Sequence, residues 1–233
     1  MLRHIPSLLI AVLTVCILPT HAQDPLTAFP DNYKLVLDNA QVRVLRCHYG
    51  PHEHVGVHNH SDYPTVYVYL SDSGPVRFSH VEEHAFVMTR PPVKKGAFRV
   101  SPGRPERHIV ENLGDLSSDY LRIELKQIPL HSTLHPVRGE APASLEKNTV
   151  EAVFHDPQLT IQRIVCTPGH TCEAGSSSAP SLLVAFTAVT LSGSMPKQMQ
   201  PGEILWTPDG AFKLHATSAE PAHLLRLELR PSK

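Results

Sequence analysis

The residues best placed for chemistry in this sequence are His58-Asn59-His60 and, some fifty positions later, His108. On a β-strand, residues two apart point to the same face, so His58 and His60 can aim both imidazoles into one cavity. A third nitrogen must come from another strand. His108 qualifies, because the turn Pro102-Gly103-Arg104-Pro105 resets the chain just before it. Three neutral imidazoles converging at about 2.0–2.2 Å suit a divalent transition metal (Fe, Mn, Zn, Cu, Ni or Co) and leave positions open for water or substrate. The competing reading places His58 and His60 in a solvated loop with His48, His52 and His54, and makes His108 a hydrogen-bonded core residue. Candidates for a fourth ligand are His52, His54 and Asp62. On alternation alone, Tyr67, Tyr69 and Arg99 are the polar groups expected in the cavity. Glu111 alternates away from His108, as a solvated or Arg-paired residue, and Asn112 is of a type that secures turns.

Strands must position these groups. The chain has 22 prolines among 233 residues, and no long uninterrupted 3.6-residue apolar period. It offers short alternating runs divided by Pro, Gly, Ser and Asp, which is how an all-β sandwich or barrel reads. Strands are expected at Val42–Leu45, Thr65–Leu70, Val76–Phe78, Ala85–Thr89, Phe98–Val100, His108–Val110 and Tyr120–Leu125.

The pattern occurs twice. Val36 to Arg46 resembles Val153 to Arg163, with Val, Gln and Arg at the same spacing. Gly96 to Pro102 parallels Gly202 to Pro208, and Leu121 to Lys126 parallels Leu225 to Arg230. Three matches in one order imply two copies of one unit, at residues 31–128 and 149–233. Residues 129–148, with Pro129, Pro136, Pro142 and a Gly139-Glu140 turn, read as a linker or strand-poor crossover.

These segments resemble the motifs of the cupin superfamily. A cupin's first motif carries His-x-His followed by a strand and Gly. Here it is matched by His58-Asn59-His60, Thr65 to Leu70 and Gly74. The second motif runs Gly, five residues, Pro, a nearby Gly, then His-x-x-x-Asn. Gly96, Pro102, Gly103, His108 and Asn112 fit it, with His108 one residue later than usual. Where the family places a metal-binding Glu, this chain has Pro64 or Thr65. The resemblance therefore implies two tandem jelly-roll β-barrels, a bicupin, with a three-histidine site in the first. It is similar to the three-histidine iron cupins, thiol dioxygenases included.

The second copy lacks the site. The alignment sets Gly175 and Ser177 opposite His58 and His60, and leaves His215 roughly opposite His108. A relocated site at His170 and Cys172 is a minor alternative. Cys166 and Cys172 can bridge in an oxidising compartment or remain as thiols. Cys47 leaves the count odd once Cys16 is removed.

Arg3, the apolar run Ile5–Leu18 and the small residues around Ala22 form a secretory signal pattern over residues 1–22, with cleavage after Ala22. The expected address is periplasmic or extracellular, with no membrane attachment after cleavage. A formal net charge of −1 supplies no excess of cations for nucleic acid. The expected partner is a small-molecule ligand or substrate, and homo-oligomers remain open. Two functions fit. One is a metal-dependent enzyme, an oxygenase or isomerase. The other is a non-catalytic metal- or small-ligand-binding protein, to which the outward-looking His48, His52, His54, His80 and His84 would contribute.

Overall fold

The computed structural model describes residues 24–130, 135–174, 179–193, 197–208, 212–216 and 219–230. Residues 1–22, expected to be a signal segment, lie outside them, as do Gly175 and Ser177. No helix among the described residues is long and apolar enough to cross a membrane.

The chain is all-β, built as two sandwich halves of two sheets each. A short helix, α1 (Pro25–Ala28), is capped by Asp24, whose carboxylate accepts from the Leu26 N–H. The first half then runs through β1 (Tyr33–Asp38), β2 (Val42–Tyr49), β3 (His54–His60), β4 (Thr65–Tyr69) and β5 (Val76–His80). It continues with β6 (Phe86–Arg90), β7 (Phe98–Ser101), β8 (Glu106–Asn112) and β9 (Ser118–Leu125). A short strand, β10 (Val137–Gly139), follows within the expected linker. The second half comprises β11 (Thr149–His155), β12 (Leu159–Cys166), β13 (Thr171–Ala174), β14 (Ser181–Ala185) and β15 (Val189–Gly193). It ends with β16 (Lys197–Met199), β17 (Ile204–Thr207), β18 (Phe212–Ala216) and β19 (Ala222–Leu229).

The two halves share one topology. The large sheets run β1-β2-β9-β4-β7-β10 and β11-β12-β19-β14-β17, and the small sheets run β3-β8-β5-β6 and β13-β18-β15-β16. Even an irregularity recurs. The first hairpin of each half slips register between Leu35 and Leu37, and between Ala152 and Phe154, which are positions aligned by the sequence repeat. A bulge inserts one extra residue and bends its strand, so both first hairpins bend at the same point.

Alternation decides where each side chain goes. On the large sheets, Val44, Val66 and Ile123 join Leu159, Ile161, Leu182 and Leu227 in one apolar layer drawn from both halves. Their neighbours point into the barrels. The second barrel is filled by apolar groups such as Ile164, Leu183, Leu191, Phe212 and Leu214. The first holds Leu45 and Cys47 but also Tyr33, Tyr49, Tyr67 and Tyr120. This difference in filling leaves polar groups inside the first barrel where, among the described residues, the second holds an apolar core.

The halves also exchange reciprocal contacts. Arg46 donates to the carbonyl of Gly202, and Arg163 donates to that of Gly96 at 2.9 Å. Both glycines hold a positive φ, +90° at Gly96 and +80° at Gly202. A Cβ at Gly96 would lie 2.8 Å from His223. Close approach therefore requires glycine at Gly96.

Candidate metal centre

β3 and β8 carry the histidines. His58 stands directly across from His108, and His60 across from Glu106. Between Val55 and His58 the pairing slips, which re-aims the end of β3. The ligand atoms of His58, His60 and His108 all lie within 4.8 Å of one another. Their ring centroids are 4.8–5.1 Å apart. His58 and His108 are buried, His60 nearly so.

The hydrogen bonding leaves this cluster short of partners. Nδ1 of His60 and both ring nitrogens of His108 are buried without a hydrogen bond among the described residues. Unpartnered buried polar atoms are uncommon and costly. A metal ion would satisfy them, so the donor set fits a divalent cation. All three imidazoles are held neutral, the form a metal requires. Burial lowers the pKa of each, most strongly for His60 and His108, with Arg122 adding to the effect.

His58 is oriented from both sides. Its Nδ1 donates to the Gly56 carbonyl at 2.8 Å, which leaves Nε2 as the acceptor. The Tyr33 phenol donates to that nitrogen at 2.8 Å. Tyr33 in turn meets Tyr49, and Tyr49 meets Tyr120, each at 2.7 Å. Three buried hydroxyls thus form a chain ending on the imidazole. Burial pushes the Tyr33 and Tyr120 phenols well above their usual range, so they stay protonated and act as donors.

Below the histidines lies a buried ion pair. Arg122 donates to Glu106 and to the Tyr67 hydroxyl, both at 2.7 Å, and to Glu124 at 2.9 Å. Burial works against the Glu106 charge, but Arg122 prevails and holds that carboxyl down to about 2. The barrel does contain a carboxylate, supplied by β8 and already engaged by an arginine.

Several expectations need correction. None of His52, His54 or Asp62 joins the cluster. His52 pairs with Asp115 at 2.8 Å, and all three side chains are exposed. His80 does not face outward. It is 2% exposed and its ring lies 5.2 Å from that of His108, with Phe86 stacked on it at 4.3 Å. His215 is not the counterpart of His108. It alternates away from Phe212 and Leu214, which fill the second barrel, and bonds Thr171 and Ser192 at 2.9 Å. Cys166 and Cys172 form a disulfide, so Cys172 is not a ligand. Cys47 is buried and free, with its thiol pushed up to about 12 by burial.

Tyr67 and Arg99 do point inside, with the Arg99 guanidinium 3.9 Å over the Tyr67 ring. Glu111 pairs with Arg77 at 2.9 Å, and the Asn112 amide donates to the carbonyls of Gly50 and Leu116. Glu106 shares the parity of His108 on β8, and that alternation is its signal in the sequence. Tyr33, Tyr49 and Tyr120 carry no local signal at all, since only strand pairing brings them together.

The sequence matches no protein-family profile, and no curated protein matches it. Solved structures do match it over most of its length. AerE from Microcystis aeruginosa is similar with a TM-score of 0.60 at 10% identity, covering 85% of this chain and 97% of that one. YhaK from Escherichia coli gives 0.58 at 10% identity, covering 85% and 92%. A structure of Bacillus subtilis oxalate decarboxylase concerned with its Mn(II) centres gives 0.53 at 10% identity, covering 87% and 76%. At such identities the likeness establishes the fold, and the fold is that of a bicupin.

Proposed function

We propose that the protein is an exported metal-dependent cupin enzyme acting on a small molecule, with His58, His60 and His108 as the metal ligands. One observation carries this reading. Three neutral imidazoles converge inside a barrel, and His60 and His108 keep buried nitrogens that no group among the described residues satisfies. The Mn(II) centres of the structurally similar oxalate decarboxylase support it by analogy of fold.

A bound divalent metal would supply Lewis acidity or, if redox-active, a route to oxygen chemistry. The chain's own groups do the remainder. Gly56 fixes the His58 tautomer. The Tyr33 hydroxyl, 2.8 Å from His58 Nε2, is placed to donate a proton to a ligand once that nitrogen is otherwise engaged. Tyr49 and Tyr120 keep that phenol oriented. Glu106, locked by Arg122, acts as a fixed charge and not as a base. Water is limited by the burial of the whole cluster.

A second reading, a non-catalytic metal- or ligand-binding protein, draws on the same Tyr33 contact, which closes one side of His58. Metal titration with thermal unfolding tests the proposal. A ligand that binds only the folded state at a hundred times its Kd stabilises by about 2.7 kcal/mol. Chelated wild type should gain stability with Mn(II), Fe(II), Co(II), Ni(II), Cu(II) or Zn(II), and His58→Ala should not. Equal gains in both would remove the three-histidine site. Steady turnover of an organic substrate panel by the loaded wild type would then favour the enzyme over the binding protein.

A further inference from the structure

A cleft of about 480 Å³ opens at the first barrel beside the Glu106–Arg122 pair, lined in part by Phe86, Met88, Arg90, Arg99, Glu106 and Arg138. Its charge is unbalanced. Glu106 is the carboxylate among the lining residues, and Arg122 already neutralises it at 2.7 Å.

The arginines are placed by one rung of the sheet. Leu45, Arg122, Tyr67, Arg99 and Arg138 stand opposite one another across β2, β9, β4, β7 and β10. Residues on one rung face the same way, so Arg99 and Arg138 are like charges directly opposed. Such a pair is destabilising unless something lies between or above it. β10 exists in this register because of a glycine. A Cβ on Gly139 would fall 2.0 Å from the Phe98 ring, so only glycine lets the crossover seat there and deliver Arg138.

Arg99 is the centre of the arrangement. It is 5% exposed, its Nε is buried with no hydrogen-bond partner, and it makes no ion pair among the described residues. Its guanidinium lies over the Tyr67 ring, which Arg90 also approaches at 5.8 Å. A ring quadrupole attracts a cation but does not satisfy its N–H groups. A planar acceptor with two oxygens would.

The geometry points to a binding site for a small organic carboxylate in this cleft, its anionic end on Arg99 between Arg90 and Arg138 and its apolar body against Phe86 and Met88. The volume falls within the usual range for small-molecule sites, about 300–1,000 Å³. Glu106 is shared with the floor of the histidine cluster, but none of His58, His60 and His108 lines the cleft, so the anion contact with Arg99 does not require a metal.

Calorimetric titration of the purified full chain tests this with benzoate, benzamide and inorganic phosphate as probes. Benzoate should bind at least tenfold more tightly than neutral benzamide or phosphate. Arg99→Gln should weaken benzoate at least tenfold. Arg138→Gln, at an exposed position that leaves the core intact, should weaken it about threefold or more. Benzoate binding should survive in His58→Ala/His60→Ala. Binding of benzoate and benzamide alike, or benzoate affinity unchanged in both arginine variants, overturns the site. Phosphate binding as tightly as benzoate overturns the organic-acid assignment. Benzoate binding lost in the histidine variant but kept in Arg99→Gln would place the anion on a metal, ending the cleft proposal and leaving the metal reading standing. Binding kept in a protein that takes up no metal would do the reverse.

Discussion

The Tyr33 hydroxyl lies 2.8 Å from Nε2 of His58, the nitrogen left free when Nδ1 bonds the Gly56 carbonyl. A residue near the N-terminal edge of the large sheet thereby holds the nitrogen that a metal would take. The two roles compete, and the competition can be measured.

Tyr33→Phe removes the hydroxyl from a site that is 1% exposed and strands Nε2 of His58, while the Tyr49 phenol keeps its bond to Tyr120. A buried group left without its partner costs about 1–3 kcal/mol. In metal-free protein the variant should be destabilised by that amount in urea unfolding. In metal-loaded protein the metal satisfies Nε2, and the cost should shrink. An equal loss in both forms would mean that the metal does not use that nitrogen.

His223 should make stability fall in acid. It is 3% exposed, and burial followed by the adjacent Arg163 lowers its pKa to about 3. In the unfolded chain an ordinary histidine takes a proton near pH 6.5. Below that value the unfolded state binds more protons than the folded one, so stability drops as pH falls from about 6.5 towards 3. One such group contributes at most about 1.4 kcal/mol per pH unit. His223→Gln keeps an acceptor for Arg163 and cannot titrate. Urea unfolding between pH 4 and 7 should show a shallower decline in the variant. Parallel profiles would contradict the buried neutral histidine.

The disulfide between Cys166 and Cys172 links the fold to the expected address. Such bonds persist in oxidising compartments. Denatured, unreduced protein recovered from the periplasm should expose one reactive thiol per mature chain, that of Cys47. Closing so short a loop is worth about 2–3 kcal/mol, so Cys166→Ser should lower stability by that amount. Three thiols in periplasmic protein would contradict both the bridge and the oxidising address.

Much of the architecture was legible because it is written locally and twice. The aligned runs Val36–Arg46 and Val153–Arg163 became matching bulged hairpins, and Arg46 and Arg163 became the reciprocal bridges to Gly202 and Gly96. Period-2 spacing sufficed for His58 and His60. The same spacing marks Glu106, two residues before His108 on β8. It excludes His215, since Phe212 and Leu214 claim the inner face of β18. Other features need pairing that sequence spacing does not encode. Tyr33, Tyr49 and Tyr120 meet through β1, β2 and β9, and Arg138 faces Arg99 only because the crossover adds a strand to the sheet. His80, expected to look outward, falls on β5 across from His108, a pairing that sequence spacing does not encode.

Metal content tests the central claim most directly. Elemental analysis should be made of the purified chain prepared without chelators, beside the His58→Ala/His60→Ala double variant. The three-histidine centre predicts close to one divalent transition metal per wild-type chain and little in the variant. Wild-type protein that holds no metal and takes up none on reconstitution, or a variant that keeps its full share, would contradict it.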